Sequence, residues 1–251
     1  MVLVDRSKAP LREGEASVDA AVVCVKTLGT AWAADIARRI LSPDGVAVTI
    51  QNGLGNYEML HAAVGDRASV GVTYVGARLD EAGELHATGP GRVELGWPRS
   101  TISFARMDAL ATLLREGGMT VTMLDDPWLS VWRKVAVNAS MNPTTAILGY
   151  TNAQLLADAV ATRLVDAIAS EVGRVATASG VALGDDDARN AWRAIAEVTG
   201  SNRSSMLQDV EAKRVTEIDA ICGAVSREGQ RRGVDAPLNQ SMAVLVAALH
   251  P

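Results

Sequence analysis

The chain has 251 residues, 48% hydrophobic and 21% charged but only 4% aromatic, with 22 glycines and a formal net charge of −5. That is enough apolar material for one sizeable core or two smaller ones, and an acidic balance of interspersed signs excludes the basic footprint of a nucleic-acid binder. Apolar runs such as residues 20–25 and 242–249 fall far short of the roughly 18 residues that cross a bilayer, and no signal-peptide pattern follows Met1, so a cytoplasmic protein is expected with no membrane partner.

In chain order, residues 18–25 (VDAAVVCV) are a continuous apolar run of strand length. Trp32, Ile36 and Ile40 then recur at helical spacing, and residues 46–50 (VAVTI) read as strand again before a Gly-rich turn. Residues 70–76 (VGVTYVG) continue as strand. A segment over 84–95 broken by TGPG, a helical stretch near 104–115 and a strand over 120–124 complete the pattern. Alternation of this kind calls for a mostly parallel sheet with both faces covered. After Asp125-Asp126-Pro127 the character changes to long Ala-rich helical periodicities. These are punctuated at Asn142-Pro143, residues 180–187, 199–205 and 233–237, with no convincing strand. The expected fold class is therefore α/β followed by all-α: a sheet domain over residues 1–125 and a helical domain over 126–251.

Cys24 and Cys222 lie in apolar runs with neither CxxC spacing nor histidine partners, and read as buried, reduced thiols. His61, His86 and His250 are scattered and form no metal-ligand set. The pairs Arg38-Arg39 and Arg231-Arg232 read as solvated helix faces.

The stretch WRKVAVNASMNPTTA, residues 132–146, places Lys134, Asn138 and Asn142 four residues apart. On a helix they drift by only about 80° and line one stripe roughly 12 Å long. A solvated stripe fits that spacing. So does a stripe buried in a cleft, where each unpaired polar group would cost about 1–3 kcal/mol and a polar ligand becomes the natural partner. Pro143 disfavours helix at Asn142 and releases a backbone carbonyl, so a kink that aims the Asn142 amide is expected. Further on, Ser205 with Gln208 three residues later makes a capping-box signature, opening a long helix whose N-terminus also suits a carboxylate. Glu217 would lie about 18 Å along the same helix, where an ordinary surface glutamate is the simplest reading. QNGLGN, residues 51–56, follows a strand directly, and Lys26 stands just past another. An amide and an ammonium are thus expected at two adjacent strand ends, the place where open parallel sheets bind ligands.

The segments VCVKT (23–27), QNGLGN (51–56), WRKVAVNASMNPTTAI (132–147) and SSMLQDVEAKRVTEID (204–219) resemble, in order and spacing, the ketopantoate reductase (2-dehydropantoate 2-reductase) family. The resemblance runs over nearly the whole chain. It implies a Rossmann-like NADP-binding domain followed by a helical substrate-binding domain, and NADPH-dependent reduction of ketopantoate to pantoate in pantothenate and coenzyme A biosynthesis. By position it implies that Lys134 is the proton donor and that Asn138, Asn142, Asn152, Asn202 and Ser205 hold substrate polar groups. Lys26, Asn52, the backbone at Ala77 and Glu217 would lie against the cofactor. The residue types suit the chemistry, because hydride delivery to a 2-oxo acid creates an alkoxide that needs a proton and a positive charge beside it. Lysine, with a reference pKa of about 10.4, is protonated at neutral pH without tuning.

A Rossmann-like reductase is expected to open with a strand and a G-x-G-x-x-G turn that seats the pyrophosphate. Gly53 and Gly55 lack a third glycine, and Gly89-Pro90-Gly91 follows no helix-opening strand. Against the family pattern the chain reads as an N-terminally truncated, incomplete Rossmann-like domain lacking a βαβ unit of at least about 30 residues. The strand over residues 20–25 would then be an apolar open edge, which makes a homodimer a plausible assembly. Two alternatives stay open: a reductase of another branched 2-oxo acid, since the gripping residues say little about the alkyl part, and an inactive remnant that binds carboxylates or self-associates.

Overall fold

The computed structural model describes residues 17–79, 84–87 and 91–249. The start of the chain, Gly89-Pro90 and His250 lie outside the described residues. Two compact units result. One holds the described residues up to Gln51 together with Asn56–Pro127, and the other holds Asn52–Gly55 and the described residues from Trp128 on.

The first unit is α/β. Its strands are β1 (Val18–Val23), β2 (Leu41–Thr49), β3 (Ala68–Tyr74), β4 (Ala77–Leu79), β5 (Leu85–Ala87), β6 (Arg92–Gly96) and β7 (Thr120–Leu124), and its helices are α1 (Thr30–Ile40), α2 (Asn56–Val64) and α3 (Phe104–Glu116). Five strands form one sheet in the order β1-β2-β3-β6-β7, while β4 and β5 pair separately as an antiparallel ribbon. The pairs β1·β2, β2·β3 and β6·β7 are parallel, and β3·β6 is antiparallel. Alternation along β2 explains how the sheet is covered. Val46 and Val48 join Met107, Leu110 and Ala111 of α3 in one cluster. Ala47, between them, joins Ala34 and Ala37 of α1 and Leu60 and Val64 of α2 in another. Successive strand residues face opposite sides, so an unbroken apolar run is what a doubly covered strand requires. Full burial of a side chain such as Leu60 is worth about 1.5–3 kcal/mol.

Strand β2 begins five residues earlier than the VAVTI run, because residues 42–45 form an irregularity between the pairs Val18↔Leu41 and Ala20↔Val46. Helix α2 was not among the expected elements, although its buried Leu60 and Val64 stand four residues apart. Its first residue, Asn56, is buried and accepts a hydrogen bond from Thr30 Oγ1 at 2.8 Å, a contact across 26 residues. Cys24 is exposed rather than buried, since it lies just beyond the last residue of β1.

The second unit is helical: α4 (Trp128–Leu148), α5 (Asn152–Ala157), α6 (Ala159–Ala178), α7 (Asp185–Val198), α8 (Ser205–Glu211), a π-helical turn (Asp219–Gly223), α9 (Ala224–Arg232) and α10 (Pro237–Ala247). Helix α4 packs against α6, α7, α8 and α10 and buries Val131, Trp132, Val135, Ala136, Ala139 and Met141 among others. The ends of several other helices carry local signals. Thr151 and Gln154 make a reciprocal capping box on α5, Asp158 accepts from the backbone of Val160 and Ala161 at the start of α6, and Gly233 closes α9 in the left-handed conformation. Helix α10 has no capping side chain of its own. The buried Glu171 of α6 takes that role, accepting from Leu238 N (3.0 Å), Asn239 N (2.9 Å) and Asn239 Nδ2 (2.9 Å).

Two expected boundaries are corrected here. Helix α4 continues through Asn142 and Pro143 to Leu148 rather than breaking there. The stretch from Ser205 to Asp219 is not one long helix either. Helix α8 ends at Glu211, Lys213 adopts φ 53°, and helical structure resumes only at Ile218. Its cap is Ser204 rather than Ser205: Ser204 Oγ accepts from Leu207 N at 3.1 Å, and Gln208 bonds to the carbonyl of Arg203 instead of closing a capping box.

Among the described residues, no helix is long and apolar enough to cross a membrane, and no group of His, Cys, Asp and Glu is arranged to hold a metal ion.

Candidate active site

Strands β1 and β2 run parallel and pair through to Val23 and Thr49, so their carboxyl ends lie side by side. Gln51, just past β2, ties them together by donating to Val25 O (2.7 Å) and to Thr30 Oγ1 (2.7 Å). Lys26 follows β1, is exposed, and its carbonyl starts a short 3-10 turn by accepting from Gly29 N. Ala77 opens β4, its backbone registered opposite Ala87. These residues belong to the first unit. The Thr30–Asn56–Gln51 network at the same strand ends was not visible in the sequence, because its members are brought together only by the parallel pairing.

The rest of the expected site residues belong to the second unit, where four of them form a connected group. Asn52 donates through Nδ2 to Glu217 Oε2 at 3.4 Å, and Asn138 Nδ2 donates to Asn52 Oδ1 at 3.4 Å. Lys134 lies one helical turn before Asn138 on α4. Burial pulls its ammonium pKa from 10.5 down to about 8, and the Glu217 carboxylate opposes that fall. The sequence-based expectation of an untuned lysine is thus corrected: desolvation disfavours its charged form and brings it close to neutral pH. A carboxylate, an ammonium and two amides, all partly buried, make a set that can both orient a small oxygen-rich anion and release a proton to it.

Asn142 is buried one turn further along α4, and its carbonyl accepts from Thr145 Oγ1 at 3.0 Å. Asn152 is buried at the start of α5. Its amide nitrogen reaches Thr199 Oγ1 at 2.7 Å, its backbone N–H donates to Asn202 O at 3.1 Å, and its buried Oδ1 has no protein partner. Asn202 and Ser205 have exposed side chains. Beside them the Thr145 and Ser204 hydroxyls are hydrogen-bonded at 2.7 Å, linking α4 to the cap of α8. Glu217 is not carried on the helix that begins at Ser205, since it stands one residue before the helical run that opens at Ile218. That placement, rather than helical periodicity, is what lets it meet Asn52.

A family model described as "Ketopantoate reductase PanE/ApbA C terminal" matches residues 126–250, and one described as "Ketopantoate reductase PanE/ApbA" matches residues 3–99. A 2-dehydropantoate 2-reductase of Halobacterium salinarum is 36% identical over 92% of this chain and 76% of its own length. Among solved structures, 2-dehydropantoate 2-reductase from Geobacter metallireducens matches 96% of this chain and 80% of its own with TM-score 0.85 and 31% identity. A D-mandelate dehydrogenase with NADH and anilino(oxo)acetate matches 94% of this chain and 76% of its own with TM-score 0.87 and 28% identity. With both halves matched by the family's models and its members aligned along most of its length, the chain belongs to the ketopantoate reductase family.

Proposed function

We propose that this chain reduces 2-dehydropantoate to pantoate with NADPH, in the cytoplasm, as a step of pantothenate and coenzyme A biosynthesis. The observation that carries the reading is the group Lys134–Glu217–Asn52–Asn138, in which an ammonium tuned to about 8 sits among amides suited to keto and carboxylate oxygens. The donor set fits a nicotinamide cofactor as well. The Asn52 amide and Glu217 carboxylate can take up polar groups of its carboxamide and ribose, and the exposed Lys26 follows a strand at the carboxyl edge of the sheet, where phosphates are commonly received. Lys26, Asn52, Glu217 and the backbone at Ala77 are its assigned holders.

When bound, the cofactor supplies hydride to the keto carbon. Lys134 then delivers its proton to the keto oxygen and stabilises the negative charge that develops there. Asn138 and Asn142, on the same stripe of α4, hold the keto and neighbouring hydroxyl oxygens, while Asn202 and Ser205 hold the carboxylate end and Asn152, its amide nitrogen engaged by Thr199, offers Oδ1 to a substrate hydroxyl. Glu217 keeps the ammonium charged against the pull of burial, so that acid remains available near neutral pH. A homodimer is the proposed assembly.

A second reading, reduction of another branched 2-oxo acid, draws support from the likeness to a D-mandelate dehydrogenase structure that holds anilino(oxo)acetate. Initial rates of NADPH oxidation over a panel of 2-oxo acids separate the two. The first reading predicts the highest kcat/KM for 2-dehydropantoate, and a higher value for another branched 2-oxo acid would replace it with the second. No turnover of any oxo acid would leave only the inactive carboxylate-binding remnant.

A further inference from the structure

Lys134, Asn138, Asn52 and Glu217 come from three separate stretches of chain, and the π-helical turn Asp219–Gly223 adjoins each stretch. The backbone of Glu217 leads directly into it, with Ile221 N donating to Glu217 O at 3.1 Å. One residue into the turn, the carbonyl of Ala220 accepts from Leu54 N at 2.9 Å. The intervening backbone passes so close that a Cβ on Gly53 would stand 2.3 Å from that same oxygen, and Gly53 adopts φ 83°. Only glycine satisfies both demands. Two residues further, Cys222 Sγ donates to Ala139 O at 3.3 Å. That carbonyl would ordinarily receive the N–H of residue 143, which is proline and has none. Burial holds the Cys222 thiol well above its usual range, so it remains a protonated donor. From outside, Arg227 closes the turn by donating to the carboxylate and the carbonyl of Asp219 across Gly223.

We infer that this π-helical turn is the positioning element of the lysine site: through Ala220 it sets the Asn52 loop against Glu217, and through Cys222 it sets the register of α4, and hence Lys134 and Asn138, against the same carboxylate. Gly53 and Cys222 are positioning residues that act through the groups they hold. A widened turn suits this task, since the extra residue redirects its carbonyls and side chains away from the helix's own ladder. The inference rests on the proton-donor reading of Lys134 only for its kinetic consequence.

The test titrates Lys134 itself by 15N-lysine NMR of the free protein, a tractable spectrum because the only other lysines are Lys8, Lys26 and Lys213. In Gly53→Ala and Cys222→Ala the Glu217 carboxylate no longer faces the ammonium squarely, so the Lys134 midpoint should fall by about 0.5 pH unit or more. Turnover should drop roughly 10- to 100-fold, with KM changed far less. Cys222→Ser, which keeps a donor, should restore both. A role confined to stability would lower the folded fraction and leave the midpoint where it is. Should Gly53→Ala fail to fold, the Cys222 pair decides together with Arg227→Ala, which loosens the turn from an exposed side chain and should shift the midpoint in the same direction. An unmoved Lys134 midpoint in folded Cys222→Ala and Arg227→Ala overturns the inference. Because the titration needs neither substrate nor cofactor, an unsubstituted chain without reductase activity would sink the functional reading and leave this test standing.

Discussion

Replacing Lys134 by methionine should make the protein more stable while removing its activity. The side chain's pKa falls from 10.5 to about 8 because burial disfavours the ammonium more than Glu217 favours it. The folded state therefore binds fewer protons than the unfolded chain between those two values, and stability rises as pH climbs from about 8 toward 10.5. Below about 8 both states carry the proton and the folded state bears the full penalty, about 3 kcal/mol at roughly 1.4 kcal/mol per pH unit. Partial solvent access reduces this to roughly 2 kcal/mol. Methionine keeps the apolar stem and drops the charge, so urea unfolding at pH 7 should show Lys134→Met ahead by that amount, with the gap closing as pH approaches 10. Fluorescence reports on the relevant unit, since Trp128, Trp132 and Trp192 all lie in it. Turnover should fall at least about 100-fold, the lower end of what a positioned general acid contributes. A variant less stable than the parent at pH 7, or a stability gap that does not change with pH, would refute the reasoning about the buried ammonium.

In the reductive direction, kcat/KM should decline as pH rises through about 8, where Lys134 gives up its proton; a rate that stays flat to pH 10 would exclude Lys134 as the acid. Glu217→Gln keeps an acceptor for Asn52 but removes the charge that supports the ammonium, so the alkaline limb should move to lower pH, and an unmoved limb would show that the carboxylate does not bear on the lysine. Glu171→Ala strips the N-terminus of α10 of the acceptor for two backbone N–H groups and the Asn239 amide. The expected loss is about 3–5 kcal/mol, with accelerated hydrogen exchange at Leu238 and Asn239, and protection equal to the parent's would remove the carboxylate from that role.

Much of the fold was legible because its period is local. The run over residues 18–25, the triplet Trp32–Ile36–Ile40 and the strand over 120–124 each announce their element by spacing alone, and β7 occupies Thr120–Leu124 as expected. Helix α2 was not legible from its first residue, since the buried Asn56 is held by Thr27 and Thr30, which only the fold brings near. The punctuation expected at Asn142-Pro143 does not end the helix, for a related reason. A proline inside a helix orphans a carbonyl, and here a thiol from a segment 83 residues away supplies the missing donor. Gln208 three residues on points to Ser205 as the cap, yet Ser204 takes that place and is held by contact with Thr145.

The identities and spacing of Lys134, Asn138, Asn142 and Asn52 are properties of the chain, and so is the change from alternating strands and helices to helices alone, because both depend on residues at most a few turns apart. Whether the stripe on α4 faced water or other protein groups was a tertiary question. The answer came from Asn52 and Glu217, whose side chains meet across 165 residues, and from the burial that drags an ordinary lysine toward neutrality. Desolvation and the field of a distant carboxylate have no sequence period, so only the folded chain could decide them.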